Sequence, residues 1–166
     1  VDIKAATEVL KKNRPYIKRF TSSGFIDDLA RGDTCVTIGF GGDLNIAKRR
    51  AEEAGGKEKI RVMMPKEGVG IWVDSFVIPK DAKHVANAHA YINDFLDPEV
   101  AAKNGNFVTY APSSKPAQEL MDEEFRNDNT IFPTDEDLKN SFIMVPIQPA
   151  ALKFMVRQWQ SVKAGT

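Results

Sequence analysis

The sequence has few of the residues and motifs that mark metal sites and catalytic centres. It contains one cysteine and two histidines in 166 residues. His84 and His89 lie five positions apart on a predicted helix, which places them on different faces. The chain also lacks G-x-S-x-G, H-E-x-x-H and the glycine-rich nucleotide motifs. The residues therefore predict no catalytic residue, no metal site and no cofactor.

Net charge and long apolar runs are absent as well. Lys plus Arg is 23 and Asp plus Glu is 23, whereas nucleic acids and anionic membranes select basic surfaces. Nucleic acid is therefore not predicted as a partner. No apolar run reaches the length of about 18 residues that a transmembrane helix needs. The first ten residues lack the basic and apolar segments of a signal peptide, and a processed or truncated chain would look the same.

The hydrophobic pattern predicts an α/β fold. Strand-like segments alternate with helical periods early in the chain, and helices dominate later. The predicted strands are residues 16–20, 34–40, 59–65 and 70–79. Residues 122–133 are predicted to be mostly loop. Strands with continuous apolar runs are typical of sheets that are covered by helices on both faces and that contain more strands than these four. The sheet is therefore predicted to be incomplete in this chain.

Capping residues set the predicted limits of several helices. Asp43 is predicted to be the N-cap of a helix that ends at Gly55 and Gly56. Asp97 is predicted to cap a second helix, with Gly105 beyond its C-terminal end. Thr134, followed by acidic residues, has the pattern of a capping box.

Cys35 lies inside the predicted strand 34–40. A lone cysteine in such a place is typically a small buried hydrophobic residue. The alternative is a cysteine whose disulfide partner lies elsewhere, as in exported proteins. The residues alone leave both interpretations open.

Asp74 is a carboxylate within an apolar segment that is predicted to be a buried strand. Burying even a neutral polar group without a partner costs about 2–7 kcal/mol, so Asp74 needs a cation, N–H donors or water. Trp72 lies two positions earlier and shares its strand face. An indole beside a carboxylate suits an organic cation. The alternative is an Asp74 that pairs with internal donors, as most buried polar groups do.

A strand, a glycine pair and a helix start follow one another in IGFGGD, residues 38–43. Ligands of open α/β sheets bind beyond the carboxyl ends of strands. Asp43 is therefore a candidate ligand residue or simply a helix cap, and Phe40 is a core residue or a cleft wall. Tyr110 follows an extended segment, where most tyrosines are half-buried packing residues. Asp43 and Asp74 could also suggest glycoside hydrolysis, but sequence spacing does not give their separation.

The chain resembles the polyamine-binding proteins of bacterial spermidine/putrescine ABC importers. The segments that carry the resemblance are RGDTCVTIGFGGD, MPKEGVGIWVDSFVIPKDAK, FLDPEVAAKNGNFVTYAPSSKPA and IFPTDEDLKNSF. The order PKEG, W-x-D, DPEVAA and Y-A-P is quite specific to that family. The resemblance covers nearly the whole chain but only the C-terminal half of the family. It implies a two-lobed α/β fold, the type II-like periplasmic binding protein, with parts of both lobes in this chain.

The resemblance also implies how the chain divides between the lobes. Residues 1–66 would belong to the second lobe, 67–70 would cross the hinge, 71–115 would belong to the first lobe, and 116–166 would be C-terminal helices returning toward the second lobe. The missing N-terminal half would supply further strands and cleft contacts. It would also supply an upstream cysteine as the disulfide partner of Cys35.

Six ligand-binding residues are implied by the same resemblance: Phe40, Asp43, Trp72, Asp74, Tyr110 and Met144. Asp43 and Asp74 would bind ammonium groups, and Trp72 would stack on the methylene chain. Tyr110 would close the cleft. Putrescine-type members usually have tryptophan at the place of Phe40, and spermidine-type members can be polar at the place of Met144. The preferred polyamine is therefore left open.

The function implied is that of a periplasmic receptor, not an enzyme. It would capture putrescine or spermidine in an interlobe cleft and deliver it to an ABC permease in the inner membrane. One alternative is a polyamine-sensing or interaction protein on the same scaffold without transport. Another is an acid/base enzyme that uses the two cleft carboxylates, which the lack of a nucleophile or metal set disfavours.

Overall fold

A computed structural model describes residues 2–56 and 59–165. In chain order the helices are α1 (Ile3–Asn13), α2 (Phe25–Ala30), α3 (Gly41–Glu53), α4 (Val85–Phe95), α5 (Pro98–Val108), α6 (Lys115–Leu120), α7 (Glu123–Arg126), α8 (Asp135–Leu138) and α9 (Pro149–Ala164). The strands are β1 (Gly70–Ile71) and β2 (Phe142–Ile143). Within the described ranges, no helix combines the length and apolar character needed to cross a membrane.

The chain forms two compact units. One unit consists of the residues up to Ser22 together with those from Met144 onward, and the other is Ser23–Ile143. The lobe limits that the resemblance implies stay a prediction.

The first unit pairs α1 with α9. Asp2 caps α1 by accepting the backbone N–H of Ala5, at 3.1 Å. Phe20 and Trp159 meet edge to face with their ring centres 4.6 Å apart, and Val162 is buried. These rings and aliphatic side chains hold the helix pair together by excluding water.

The predicted strand at residues 16–20 is wrong. A short 3₁₀ turn, Arg14–Tyr16, continues α1 into this segment, and the residues after it form no ladder. The guanidinium of Arg14 lies 5.5 Å from the ring centre of Phe20. Phe20 of this segment therefore packs against Trp159 of α9 rather than against another strand, whereas Tyr16 is exposed.

The second unit has two helical packing centres. In the first, α2 packs on α3 through the buried residues Phe25, Leu29 and Ala47. In the second, α5 packs on α6 with Gly105 at the close approach: a Cβ there would lie 3.1 Å from Met121 Sδ. Gly105 is therefore buried inside α5, and the prediction that it lies beyond the C-terminal end of this helix is wrong. Glycine is needed there because the packing of the two helices leaves no room for a side chain.

Most of the predicted strand residues are unpaired. β1 pairs with β2 in parallel, Gly70 with Phe142 and Ile71 with Ile143. Residues 34–40, 59–65 and 72–79 join no ladder in the part of the chain that the structure describes. Ladders require a neighbouring strand for every N–H and C=O, and β2 is the only neighbour supplied there. The apolar side chains of these segments stay largely in water, as Ile38 does at 99% exposure.

The interpretation of Cys35 as a buried residue is wrong. Cys35 is exposed, because no layer covers its segment within the described residues. The disulfide with an upstream cysteine that the resemblance implies stays a prediction. Residues 122–133 are mostly loop, as predicted, with the four-residue helix α7 within them. Phe40, not Asp43, is the N-cap of α3, since Gly41 and Gly42 already have helical conformation. The capping box at Thr134 is confirmed, with Asp137 as its reciprocal partner.

Candidate functional site

The candidate site begins at the first turn of α3. Phe40 has extended backbone angles, φ −74° and ψ 138°, and its carbonyl accepts the N–H of Leu44 at 3.0 Å. The two glycines that follow turn the chain into the helix, and Asp43 lies in the first turn. A negative charge there is stabilised by the unpaired N–H groups of the helix start, typically by about 0.3–1 kcal/mol.

Asp43 and Tyr110 are in direct contact. The Tyr110 hydroxyl donates to Asp43 Oδ1 at 3.2 Å, and both residues are half-buried. The pKa of Tyr110 is raised to about 12, first by burial and then by the negative charge and the hydrogen bond of Asp43. The charge of Asp74 acts in the same direction, so Asp74 is close enough to Tyr110 to influence its ionisation.

Two aromatic residues of the predicted site, Phe40 and Trp72, are in contact with each other. Phe40 and Trp72 meet edge to face, with ring centres 5.2 Å apart and planes at 70°. Each residue keeps more than two fifths of its surface exposed, 44% for Phe40 and 42% for Trp72. Ring surface therefore remains accessible for a methylene chain or a cation.

Asp74 is exposed, so the prediction that it lies in a buried strand is wrong. The segment around it has no covering layer in the described part of the chain, as Val73 and Val77 also show. Across the described ranges, neither Asp74 nor Asp43 forms an ion pair with lysine or arginine. The alternative of internal neutralisation by a basic side chain is thus not seen for either carboxylate.

The structure brings five of the six predicted ligand residues into one unit, and the sixth lies in the other. Phe40, Asp43, Trp72, Asp74 and Tyr110 all lie within Ser23–Ile143. Met144 begins the second segment of the other unit and is exposed. In the described residues, no group of three or more His, Cys, Asp or Glu is placed to hold a metal ion.

Sequence reasoning missed the residues that hold the site together. Thr109 Oγ1 donates to the carbonyl of Gly42 at 2.8 Å, and Thr109 has a left-handed backbone with φ 56°. One turn later on α3, Asn45 Nδ2 donates to Thr130 Oγ1 at 2.9 Å. The glycine pair was the one available signal, because adjacent glycines often mark a close approach of another group.

Replacing Gly42 with alanine is expected to displace Tyr110. The new Cβ would overlap the Tyr110 ring and lie 2.6 Å from its Cζ. Overpacking of this kind usually costs about 1–3 kcal/mol. Chemical denaturation should show that loss, and spectroscopic titration should show the pKa of Tyr110 falling as the Asp43 contact is broken.

Gly41→Ala is the matched control for this change. A Cβ at Gly41 would meet nothing closer than the carbonyl oxygen of Thr130 at 3.6 Å. The control should keep both the stability and the Tyr110 titration of the parent. Equal behaviour of the two alanine variants would contradict the packing described here.

Stability at alkaline pH should depend on Tyr110. Its pKa is raised to about 12 in the folded chain and is about 10 in an unfolded one. Between these values the folded state binds more protons, so its free energy of unfolding falls as pH rises from about 10 to about 12. In a Tyr110→Phe variant the free energy of unfolding should fall less over this pH range than in the parent. Urea denaturation at about pH 9 and at about pH 11.5 measures the difference. Tyr16→Phe, at an exposed tyrosine, should behave as the parent, and a Tyr110→Phe variant that loses as much as the parent would refute the assignment.

Comparison with known proteins identifies the family of the chain. The family model of bacterial extracellular solute-binding proteins matches residues 1–134. The putrescine-binding periplasmic protein SpuD of Pseudomonas aeruginosa strain UCBPP-PA14 is 38% identical over 164 residues, which are 99% of this chain and 45% of the relative. The putrescine-binding periplasmic protein PotF of Escherichia coli strain K12 is 38% identical over 160 residues, 96% of this chain and 43% of the relative.

A solved structure shows the same fold. The spermidine/putrescine ABC transporter substrate-binding protein PotD of Streptococcus pneumoniae has a TM-score of 0.73 and 26% identity, covering 98% of this chain and 48% of that one. The expected α/β fold, the type II-like periplasmic binding protein, is therefore confirmed.

The chain spans less than half the length of the curated relatives it matches. The expected periplasmic location is confirmed by the same relatives. The chain belongs to the bacterial extracellular solute-binding proteins.

Proposed function

We propose that the protein to which this chain belongs is a receptor for a polyamine, putrescine or spermidine. It captures the polyamine in a cleft between two lobes and delivers it to an ABC permease in the inner membrane. The named binding properties of the relatives support this proposal. No catalytic step is part of it.

One observation carries the proposal. Asp43 and Asp74 have no cationic partner among the described residues, and both act on Tyr110. The rings of Phe40 and Trp72 lie against each other in the same unit. Carboxylates without a cationic partner, and partly exposed aromatic residues in the same unit, match the two chemical features of a polyamine, its ammonium groups and its methylene chain.

The energetics favour a small flexible cation. Hydrogen bonds between a charged donor and a charged acceptor are roughly twice as strong as neutral ones. A cation over an aromatic face adds about 0.5–2 kcal/mol. Closure of the cleft lowers the local dielectric constant and strengthens both interactions. An amine that meets no carboxylate is penalised on burial, so the spacing of the amines determines which polyamine is preferred.

Calorimetry on a longer protein that contains this chain tests the proposal. Putrescine or spermidine should bind with a Kd of about 1 μM or tighter, near 8 kcal/mol, and neither amine should be consumed. The uncharged analogue 1,4-butanediol should not bind, because it offers no charge to the carboxylates. Absence of binding by both amines would overturn the receptor function.

Uptake measurements test the delivery step separately. Cells that lack the receptor should regain putrescine uptake when the longer protein is supplied. Tight binding without any recovery of uptake would remove transport from the proposal and favour a sensing role for the same site.

A further inference from the structure

We propose that Thr109 is a positioning residue that holds Asp43 and Tyr110 together as one acceptor for an ammonium group. The ligand part of this inference rests on the proposed function. Thr109 itself does not contact the polyamine. It acts through the carbonyl of Gly42.

The hydrogen bond of Thr109 ties together the immediate neighbours of both site residues. Its Oγ1 lies 2.8 Å from the carbonyl oxygen of Gly42, which precedes Asp43, and Thr109 precedes Tyr110. The same hydroxyl lies 2.7 Å from the carbonyl oxygen of Val108, so its single proton is shared between two acceptors. The side chain is enclosed, with only 2% of the residue exposed. Water therefore does not compete for this contact.

Threonine is an unusual residue for the backbone conformation found at position 109. Its angles, φ 56° and ψ 37°, are left-handed and end α5. Glycine or asparagine normally occupies such a helix end, because a β-branched side chain is strained there. Strain of this kind persists only where surrounding contacts hold it. A threonine at this position is explained if the hydroxyl, and not only the turn, is required.

The left-handed turn sends the next residue back over α3. The ring of Tyr110 then lies against the backbone of Gly42, where a Cβ would overlap it. Its hydroxyl thereby reaches Asp43 Oδ1 at 3.2 Å. A small rotation of the turn would move the Tyr110 hydroxyl away from that carboxylate.

A second contact holds the two helices together without Thr109. Arg49 lies two turns after Gly42 on α3, and its Nη2 donates to the carbonyl of Phe107 at 3.0 Å. Its Nη1 lies 3.4 Å from the carbonyl oxygen of Asn106. A cation at the C-terminal end of a helix is electrostatically favourable. Loss of the Thr109 hydroxyl should therefore misdirect Tyr110 while the packing of α3 on α5 remains.

Three substitutions in the longer protein separate the hydroxyl from the turn. Thr109→Val keeps the shape and loses the hydroxyl. Thr109→Gly relieves the left-handed strain and also loses the hydroxyl. Thr109→Ser keeps the hydroxyl. If only the turn mattered, glycine would be the best of the three.

The readouts are putrescine affinity by calorimetry and the pKa of Tyr110 by ultraviolet titration, with Tyr110→Phe as the spectral reference. The valine and glycine variants should bind putrescine about 3- to 10-fold more weakly, the effect of one lost neutral hydrogen bond. In both, the pKa of Tyr110 should fall from about 12 toward its ordinary value. The serine variant should stay within about twofold of the parent, as expected for a retained hydrogen bond.

Parent-like affinity and parent-like Tyr110 titration in the glycine variant would overturn the inference. If the valine variant does not fold, the putrescine affinity and the Tyr110 titration of the glycine and serine variants still test the inference. The titration needs no ligand, so it still tests the positioning role if the parent fails to bind putrescine. Failure of the proposed function and failure of this inference are therefore distinguishable.

Discussion

Replacing Asp74 with asparagine is expected to weaken putrescine binding about 30-fold or more without lowering the thermal unfolding temperature. Removing one partner of a desolvated charge pair costs about 2–5 kcal/mol, and each 1.4 kcal/mol is about tenfold in affinity. The amide keeps the shape of the side chain but not its charge. Asp74 is exposed and forms no ion pair within the described residues, so the fold does not depend on that charge. Calorimetry and thermal denaturation of the longer protein measure the two quantities.

Asp94→Asn is the matched control for Asp74→Asn. Asp94 is an exposed carboxylate on α4 in the same unit, and the substitution makes the same change in net charge. Its affinity for putrescine should equal that of the parent. An Asp74→Asn variant that binds putrescine as well as the parent would remove Asp74 from the site. Equal weakening by both variants would mean that only the overall charge of the protein matters.

The 166-residue chain made alone is expected to bind putrescine at least about 1000-fold more weakly than the longer protein. A micromolar site is worth about 8 kcal/mol, and loss of half of that is about a 1000-fold change. The relatives are more than twice as long as this chain, which covers 45% of SpuD. The surfaces of Trp72 and Asp74 are open to water, so their interactions with a cation are screened.

Paired titrations of the short chain and the longer protein under the same conditions test this expectation. Circular dichroism should first show that the short chain has the helix content expected from α1 to α9. Binding by the short chain within about tenfold of the longer protein, or 1.4 kcal/mol, would show that the site is complete in this polypeptide. The proposal of a cleft shared with another segment would then be wrong.

Local sequence signals predicted the helices better than the sheet. The capping box at Thr134 and the start of α5 at Pro98 depend on residues three or four positions apart, so the sequence is sufficient for them. The segment 34–40 has strand composition, but a ladder also requires a neighbouring strand, whose position in the chain no local pattern gives. Its side chains are exposed here, Val36 and Ile38 among them.

The candidate site was predicted in part, and the reason lies in its contacts. The resemblance pointed to Asp43 and Tyr110, and the structure joins them by a hydrogen bond. Their separation in sequence is 67 residues, which no local pattern reveals. The role of Thr109 was not predicted, since nothing in the sequence marks a threonine with positive φ. Asp43 was predicted as a cap because its side chain has cap preference, but the two glycines before it begin the helix earlier.

A crystal structure of the longer protein with putrescine tests the central claim most directly. The account predicts that Asp43 and Asp74 each accept a hydrogen bond from the diamine, with N to O distances of about 2.7–2.9 Å. The methylene chain should run across the face of Trp72. A diamine bound away from these residues, with both carboxylates paired to lysine or arginine of the protein, would contradict the account.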